Sequence, residues 1–279
     1  MKIFMEEIVQ KSKESIPVEE GDYMKDGLLY CGKCNTPKQG SYKTPFGYVH
    51  PYILCKCAAE KRKREEQERT AREFRDMVKQ FRRSGFPEKD MERMRFEAND
   101  GNGNQKVINI AKKYVENFSE MKGRGKGLVL MGDTGTGKTF AAACIVNALI
   151  DQGYPCMITS LSREINTIQG MMDGKQNYID SLNNYSLLVL DDVGVEGATP
   201  YRMEQIYNII DTRYRSGLPM IVTTNIPWSE LSRQDVELPK KRIYSRILEM
   251  CVPIKVEGTD RRRESVKDDM GYYRDMLGL

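Results

Sequence analysis

The sequence GLVLMGDTGTGKTFAAA occupies residues 127–143 and reads as an apolar strand, a glycine-rich loop and an Ala-rich helix. The loop fits the pattern G-x-x-x-x-G-K-[ST], which binds nucleoside triphosphates when a strand precedes it and a helix follows it. Its glycines let backbone N–H groups face the β-phosphate, and the positive end of the helix dipole adds attraction. Lys138 is predicted to neutralise phosphate charge, and Thr139 to place its hydroxyl on Mg²⁺. The predicted nucleotide contacts are Gly132, Asp133, Thr134, Gly135, Thr136, Gly137, Lys138, Thr139 and Phe140.

Two carboxylates end a second apolar run, Leu187–Leu190, at positions Asp191 and Asp192. Ligands bind at the carboxyl ends of the strands in parallel sheets. Asp191 is predicted to hold Mg²⁺, directly or through water, and Asp192 to orient and deprotonate the water that attacks the γ-phosphate. The alternative is that Asp192 is a loop residue or a helix cap. Hydrolysis, as distinct from binding, therefore depends on Asp192.

A polar side chain also follows the next predicted strand, residues 220–224. The amide of Asn225 is predicted to hydrogen bond the attacking water and so to report whether the γ-phosphate is present. A polar residue after a strand is common, so this interpretation depends on the position of Asn225 after the strand that follows the two carboxylates.

Predicted strands and helices alternate through the second half of the chain. Such alternation is typical of an α/β fold, with a parallel sheet and helices on both faces. The predicted strands are 127–131, 156–159, 187–190 and 220–223, and the predicted helices are 107–118, 139–152, 161–173 and 202–216.

The composition suits a globular protein with one full-sized core and a smaller module. The chain has 279 residues, of which 39% are apolar and 30% are charged. No stretch approaches the ~20 apolar residues needed to span a bilayer, and no signal-peptide pattern opens the chain. We therefore expect a cytoplasmic protein with no membrane partner. The net charge of +4 is too small to argue for nucleic-acid binding by itself.

Four of the seven cysteines lie close together, at Cys31, Cys34, Cys55 and Cys57. Two close pairs of thiols have the spacing of a structural zinc site, although the second pair is C-x-C. A zinc ion would stabilise a segment that holds too few apolar residues to fold unaided. The histidine of this span, His50, could replace Cys55 or Cys57 as the fourth ligand, and free thiols in a loop are the remaining alternative.

A charged stretch follows, with ten Lys or Arg against six Asp or Glu between residues 60 and 83. Its i,i+4 charge pairs and apolar stripe predict one helix. That helix could follow the phosphates of a nucleic acid, or it could simply connect two domains. The predicted organisation is a zinc-binding module at 1–60, a basic linker helix at 61–85 and an ATPase domain at 86–279.

These motifs resemble those of the DnaC/DnaI-type helicase loaders and of the related IstB-like transposition ATPases. The resemblance rests on RRSGFP at 82–87, the phosphate loop with FAAA at 140–143, DDVG at 191–194, TN at 224–225 and KRIYSRI at 241–247. It implies an AAA+ P-loop fold in the α/β class, with ATP and Mg²⁺ as ligands.

The same resemblance implies three arginine roles. Arg246, with Arg242 one helical turn away, is expected to reach the γ-phosphate of a neighbouring subunit. A solvated basic helix is the alternative for this segment. Arg262 is expected to act as a second sensor, although the run Arg261–Arg263 leaves the register open.

The implied function is ATP-dependent loading of the hexameric replicative DNA helicase onto single-stranded DNA during DNA replication. Self-assembly that depends on ATP accompanies it, and the zinc module is expected to contact the helicase. The rival functions are an IstB-like transposition accessory ATPase that binds duplex DNA, a nucleotide-dependent binding module with little turnover, and a zinc-dependent nucleic-acid binder.

Overall fold

The computed structural model of the chain describes residues 16–45, 47–99, 104–194, 197, 199–233, 235–260, 273–274 and 276–278. These residues divide into two compact units, and the boundary lies between Arg75 and Asp76. Within the described ranges, none of the helices combines the length and the apolarity needed to cross a bilayer. The functional boundaries predicted at residues 60 and 85 stay a prediction.

The first unit contains two small antiparallel hairpins and the start of a long helix. The hairpins pair β1 (Tyr23–Lys25) with β2 (Leu28–Tyr30), and β3 (Tyr42–Thr44) with β4 (Gly47–Val49). Helix α1 (Lys56–Gly85) follows and continues into the second unit. Among the described residues of this unit, the buried apolar side chains are Leu29, Cys31, Pro51 and Cys55. So small a core supports the expectation that this unit needs an additional source of stability.

The second unit is built on a five-stranded sheet in the order β6-β7-β8-β5-β9, and every neighbouring pair is parallel. The predicted α/β class with a parallel sheet is therefore confirmed. The strands are β5 (Gly127–Met131), β6 (Cys156–Ser160), β7 (Leu187–Val193), β8 (Met220–Thr224) and β9 (Cys251–Lys255).

Helices cover both faces of this sheet, because alternate residues of each buried strand point to opposite sides. On β5, Leu128 and Leu130 pack with α2 and α4, whereas Val129 and Met131 pack with α5, α7 and α9. The helices are α2 (Gln105–Glu116), α3 (Phe118–Gly123), α4 (Lys138–Asp151), α5 (Leu161–Gly170), α6 (Lys175–Ser181), α7 (Pro200–Ser216), α8 (Trp228–Leu231) and α9 (Leu238–Met250).

Local chemistry accounts for where several helices begin. Asn104 caps α2 by accepting from the Val107 N–H, and Ser160 caps α5 by accepting from the Arg163 N–H. Thr199 caps α7, whose first residue is Pro200. A proline is favourable at that position because its missing N–H has no partner within the helix.

Strand β9 was not predicted from the sequence. It lies at the edge of the sheet beside β5, and Pro253 is aligned with Val129. A proline cannot donate to a strand ladder, so it argues against a central strand but is tolerated at an edge. The prediction failed because an edge position cannot be recognised from five residues alone.

The buried side chain of Arg213, on α7, hydrogen bonds to the segments that precede β7 and β8. The side chain of Arg213 is 1% exposed, and burial lowers its pKa to about 10. Its described acceptors are oxygens at the ends of neighbouring segments: the backbone oxygens of Leu182, Tyr185, Ser186 and Pro219, and Oδ1 of Asn183. Arg213 therefore satisfies carbonyl groups next to the starts of β7 and β8.

We expect Arg213→Met to lower the free energy of unfolding of this unit by about 3 kcal/mol, because several buried carbonyls lose their donor. The measurement is urea unfolding followed by the fluorescence of Trp228, the only tryptophan of the chain. Arg215→Met is the matched control, since Arg215 is 73% exposed and makes a surface ion pair worth ~1 kcal/mol or less. Equal losses in the two variants would contradict the role assigned to Arg213.

Candidate nucleotide site and metal centre

The phosphate loop joins β5 to α4 at the carboxyl edge of the sheet. Nζ of Lys138 donates to the backbone oxygens of Gly132 and Asp133, each at 2.8 Å, and to Oδ1 of Asn225 at 2.7 Å. Lys138 is 5% exposed, so these oxygens replace much of the water that an ammonium group normally carries. The structure therefore brings together Lys138, the first residue of α4, and Asn225, which follows β8.

The loop backbone has the curl that phosphate binding requires. Gly135 and Gly137 have φ angles of 78° and 91°, in the left-handed region that favours glycine. Gly137 directly precedes the first residue of α4, and Thr136 closes the turn by donating to the Asp133 oxygen at 2.8 Å. Asp133 and Thr134 are exposed at the tip of the loop, while Phe140 is half-buried against the core.

Asp191 lies directly opposite the loop. Its carboxylate accepts from Oγ1 of Thr139 at 3.0 and 3.1 Å, and from Oγ1 of Thr223 at 2.6 Å. Burial raises the pKa of Asp191, and the hydrogen bonds from Thr223 and Thr139 offset part of that rise. A dication held here would favour the ionised carboxylate. Thr139 and Asp191 are thus the oxygen donors that fit Mg²⁺.

Asp192 occupies an irregular position in β7, where the pairing with β8 shifts register between Leu190 and Val193. Its φ angle is 54°, and its backbone N–H donates to Oγ1 of Thr223 at 2.9 Å. An aspartate tolerates this conformation better than most residues do. The bulge therefore removes Asp192 from the regular alternation of side chains along β7. Because Asp192 lies within this strand, its carboxylate is not a helix cap.

A groove of about 720 Å³ lies beside the two carboxylates. Asp191 and Asp192 form one part of its lining, and polar side chains of β6 and α5, including Arg163 and Asn166, form another. Asp192 is thus accessible to solvent, as a residue that activates water must be.

The four clustered cysteines of the first unit converge on one point. All four sulfurs lie within 4.8 Å of one another, with Cys31 3.6 Å from Cys57 and Cys55 3.5 Å from Cys57. Thiolates ~2.3 Å from a tetrahedral zinc ion are separated by ~3.8 Å, so the spacing fits zinc. His50 lies outside this group, which favours four cysteine ligands over the histidine alternative.

The chemistry of the sulfurs also fits a cation. The hydrogen bond with Cys55, and those with Cys34 and Cys31, raise the pKa of Cys57, whereas the hydrogen bond with Thr36 lowers the pKa of Cys34. Crowded thiolates repel one another, so protons must remain among them unless a positive ion offsets their charge. Zinc would offset that charge and would connect β2 to the start of α1.

Residues 63–268 match the family described as IstB-like ATP binding protein. The chain belongs to this family.

Two relatives of this IstB-like protein are helicase loaders. This chain is 30% identical to the replicative helicase loader DnaI of Bacillus subtilis (strain 168) over 169 residues, which are 57% of this chain and 53% of DnaI. It is 29% identical to the replicative helicase loader DnaC of Escherichia coli (strain K12) over 135 residues, 47% of this chain and 54% of DnaC. The matches thus span about half the length of these curated relatives.

Two solved structures have a fold similar to that of the second unit. The crystal structure of DnaI aligns with a TM-score of 0.52 and 26% identity over 64% of this chain and 96% of that one. The crystal structure of the DnaC helicase loader aligns with a TM-score of 0.51 over 61% of this chain, and at 24% identity this likeness shows the fold alone. The AAA+ fold and the DnaC/DnaI-type resemblance are both confirmed.

In the structure of this IstB-like protein, the two arginines of α9, Arg242 and Arg246, differ from each other in exposure and in contacts. Arg242 is exposed. Arg246 is 20% exposed, forms an ion pair with Asp211 at 2.5 Å and lies over the rings of Tyr207 and Tyr214. The third candidate, Arg262, and its neighbours 261 and 263 lie outside the described residues.

Sequence reasoning missed Thr223 and Asn147. Thr223 joins Asp191 to Asp192 through its hydroxyl. Asn147 on α4 is 1% exposed and donates to the backbone oxygens of Met91 and Met94, while its Oδ1 accepts from Arg82 at 2.7 Å. A threonine within a β-branched strand and an asparagine within a helix carry no local signal of these roles.

Proposed function

We propose that this protein uses ATP hydrolysis to load the hexameric replicative DNA helicase onto single-stranded DNA. The observation that carries the proposal is the network Lys138–Asn225 and Thr139–Asp191–Thr223, which unites three strand ends around one phosphate loop. The loader names of the matched relatives support the choice of helicase loading over transposition.

Each residue of the network has a role in this proposal. Lys138 leaves the oxygens of Gly132 and Asp133 to neutralise the β- and γ-phosphates, and Asn225 is then placed to bind the attacking water. Thr139 and Asp191 would hold Mg²⁺, and the bound ion would supply positive charge that stabilises the transferring phosphoryl group. Asp192 accepts the proton of the attacking water.

Arg246, with Arg242 beside it, completes the site of a neighbouring subunit in the ATP-dependent assembly. A cation at that place stabilises negative charge on the phosphoryl oxygens in the transition state. Because Arg246 is paired with Asp211 within its own subunit, reaching a neighbour requires that ion pair to open. Arg262 stays a proposed second sensor.

The first unit is proposed to hold zinc through its four clustered cysteines and to contact the helicase. Hydrolysis then releases the helicase onto single-stranded DNA, which this IstB-like protein contacts during loading. A replication factor of this kind works in the cytoplasm.

The test combines the intact protein with the replicative helicase of the same source, ATP and closed circular single-stranded DNA. We expect the protein to bind the helicase and to promote unwinding of an annealed strand. Asp192→Asn is expected to bind ATP but to hydrolyse it at least about 100-fold more slowly and to fail in release. Asparagine suits the positive φ of this position, so the backbone is retained.

Asp180→Asn is the control, since Asp180 is an exposed acid on α6. This variant should load the helicase at the wild-type rate. ATPase activity stimulated by duplex DNA, with no helicase binding, would instead identify a transposition-type ATPase. Full loading by Asp192→Asn would overturn the catalytic role of that carboxylate.

A further inference from the structure

Thr223 on β8 lies where the pairing of β7 with β8 is interrupted. The pairs aligned on either side of the interruption leave two residues of β7, Asp191 and Asp192, opposite Thr223 alone. Such a bulge disrupts the ladder of backbone hydrogen bonds and redirects side chains, and bulges are frequent next to active sites. Thr223 is fully buried at this point. One hydroxyl group therefore faces both acidic residues of the site.

The hydroxyl group of Thr223 makes a different hydrogen bond with each of these residues. It donates to Oδ1 of Asp191 at 2.6 Å and accepts from the backbone N–H of Asp192 at 2.9 Å. A hydroxyl group has one hydrogen to donate and lone pairs that accept, so the two bonds use it in both senses at once. Valine has nearly the shape of threonine but can make neither bond, whereas serine can make both.

The bond to Asp191 orients a carboxylate that is placed to hold a metal ion. Thr139 contacts both oxygens of this carboxylate from α4, at 3.0 and 3.1 Å, and Thr223 contacts Oδ1 from β8. Donors on two different elements of the fold restrict the rotation of the carboxylate. Partners that orient the ligands of a metal ion in this way change metal affinity or activity by roughly 10- to 100-fold when they are lost.

The bond to Asp192 acts on the backbone. Asp192 has a φ angle of 54°, and a residue other than glycine keeps such a conformation where its surroundings impose it. The hydrogen bond from its N–H to Thr223 anchors the peptide group at this point. Because the direction of the backbone decides where the side chain points, Thr223 also sets the direction of the carboxylate that is proposed to accept a proton from water.

We propose that Thr223 is a positioning residue that sets the metal ligand Asp191 and the base Asp192 through one hydroxyl group. It acts through these two carboxylates and not on the nucleotide itself. Because both depend on the same group, correct placement of the metal ligand coincides with correct placement of the base. The part that concerns Asp192 rests on the proposed hydrolysis of ATP, whereas the part that concerns Asp191 needs only nucleotide binding with Mg²⁺.

The first experiment measures, by calorimetry on the full chain, how the binding of a non-hydrolysable analogue of ATP depends on Mg²⁺. For Thr223→Val we expect the Mg²⁺ concentration that gives half of the full effect to rise roughly 10-fold, because the carboxylate of Asp191 is less well oriented. Binding in the presence of EDTA should stay within about 2-fold of the wild type, since the phosphate loop is unchanged. Thr223→Ser should restore the Mg²⁺ dependence of the wild type.

Thr224→Val is the matched control. Thr224 is the next residue of β8 and is 1% exposed, and its described hydrogen bonds are to backbone groups of Val193 and Ile226. This variant also loses a buried hydroxyl group, but its Mg²⁺ requirement should stay within about 2-fold of the wild type. An equal rise in the Mg²⁺ requirement of the two valine variants would make Thr223 a structural residue only and would overturn the proposal.

The second experiment measures kcat for ATP hydrolysis at saturating Mg²⁺. We expect Thr223→Val to lower kcat roughly 10- to 100-fold and Thr223→Ser to retain most of the activity, because only serine keeps the hydroxyl group. Added to Asp192→Asn, Thr223→Val should cause no further loss beyond about 2-fold, since residues that act as a unit have non-additive effects. A further loss as large as that of the single variant would contradict positioning through Asp192.

If Thr223→Val proved unstable, Thr223→Ala, which also lacks the hydroxyl group, would be measured in its place under the same criteria. Either quantity left unchanged in a folded variant would overturn the proposal, because it assigns both carboxylates to one hydroxyl group. A wild type that binds nucleotide with Mg²⁺ but does not hydrolyse ATP would overturn the proposed catalysis. The calorimetric comparison would still decide the role of Thr223 at Asp191.

Discussion

Lys138→Ala is expected to lower the rate of ATP hydrolysis at least about 1000-fold, because the substitution removes the charge that stabilises the phosphates in the transition state. It also removes the three hydrogen bonds that join the loop backbone to Asn225. Both losses act on the same site, so the variant should bind ATP weakly as well as turn it over slowly. Steady-state release of phosphate measures the first effect, and calorimetry the second.

Lys255→Ala is the matched control for this prediction. Lys255 lies on β9 beside β5, but its side chain is 77% exposed and pairs with Glu257. Its removal should change the hydrolysis rate by less than about 2-fold, as is usual for exposed ion pairs. An active Lys138→Ala variant, or an equal loss in both variants, would show that hydrolysis does not depend on the position of Lys138.

Cys55→Ser is expected to abolish zinc binding and to unfold residues 16–75 while leaving the second unit folded. The described buried apolar residues of the first unit are too few to stabilise it, whereas a structural zinc ion contributes ~10 kcal/mol or more. The bound zinc, measured by atomic emission, should fall from about one equivalent per chain to none. Limited proteolysis should then cleave within the first unit, and helicase binding should be lost.

His50→Ala distinguishes the two ligand sets left open by the sequence. Because His50 lies outside the group of four sulfurs, this variant should keep its zinc and its resistance to proteolysis. Loss of zinc from His50→Ala, with retention by Cys55→Ser, would make the histidine the fourth ligand. Retention of full zinc occupancy by both variants would place the ion elsewhere in the chain.

The sequence predicted those parts of the fold and site whose signal is local. An apolar run, a glycine loop and a helix are adjacent in residues 127–152, so the phosphate loop could be located without any knowledge of distant contacts. The same is true of Asp191, which directly follows the apolar residues of its strand, and of the paired cysteines. Hydrophobic patterns at strand length also predicted four of the five strands of the sheet, β5 to β8.

The features that were missed depend on residues far apart in the chain. Strand β9 is recognisable only once β5 is known to need a second neighbour, and Pro253 conceals it. The positive φ of Asp192 follows from the register shift against β8. Thr223 and Arg213 acquire their roles from the arrangement of neighbouring strands, which no local pattern encodes.

The order of strands in the sheet has a consequence for the kinetics of folding. Strand β5 carries the phosphate loop, yet its two neighbours are β8 and β9, the last two strands along the described part of the chain. During synthesis, about ninety residues must therefore be added after β5 before either neighbour can pair with it. Contacts of such long sequence separation form late and slowly. The nucleotide site is thus assembled among the last events of folding, and ligand binding then stabilises only chains that have completed the sheet.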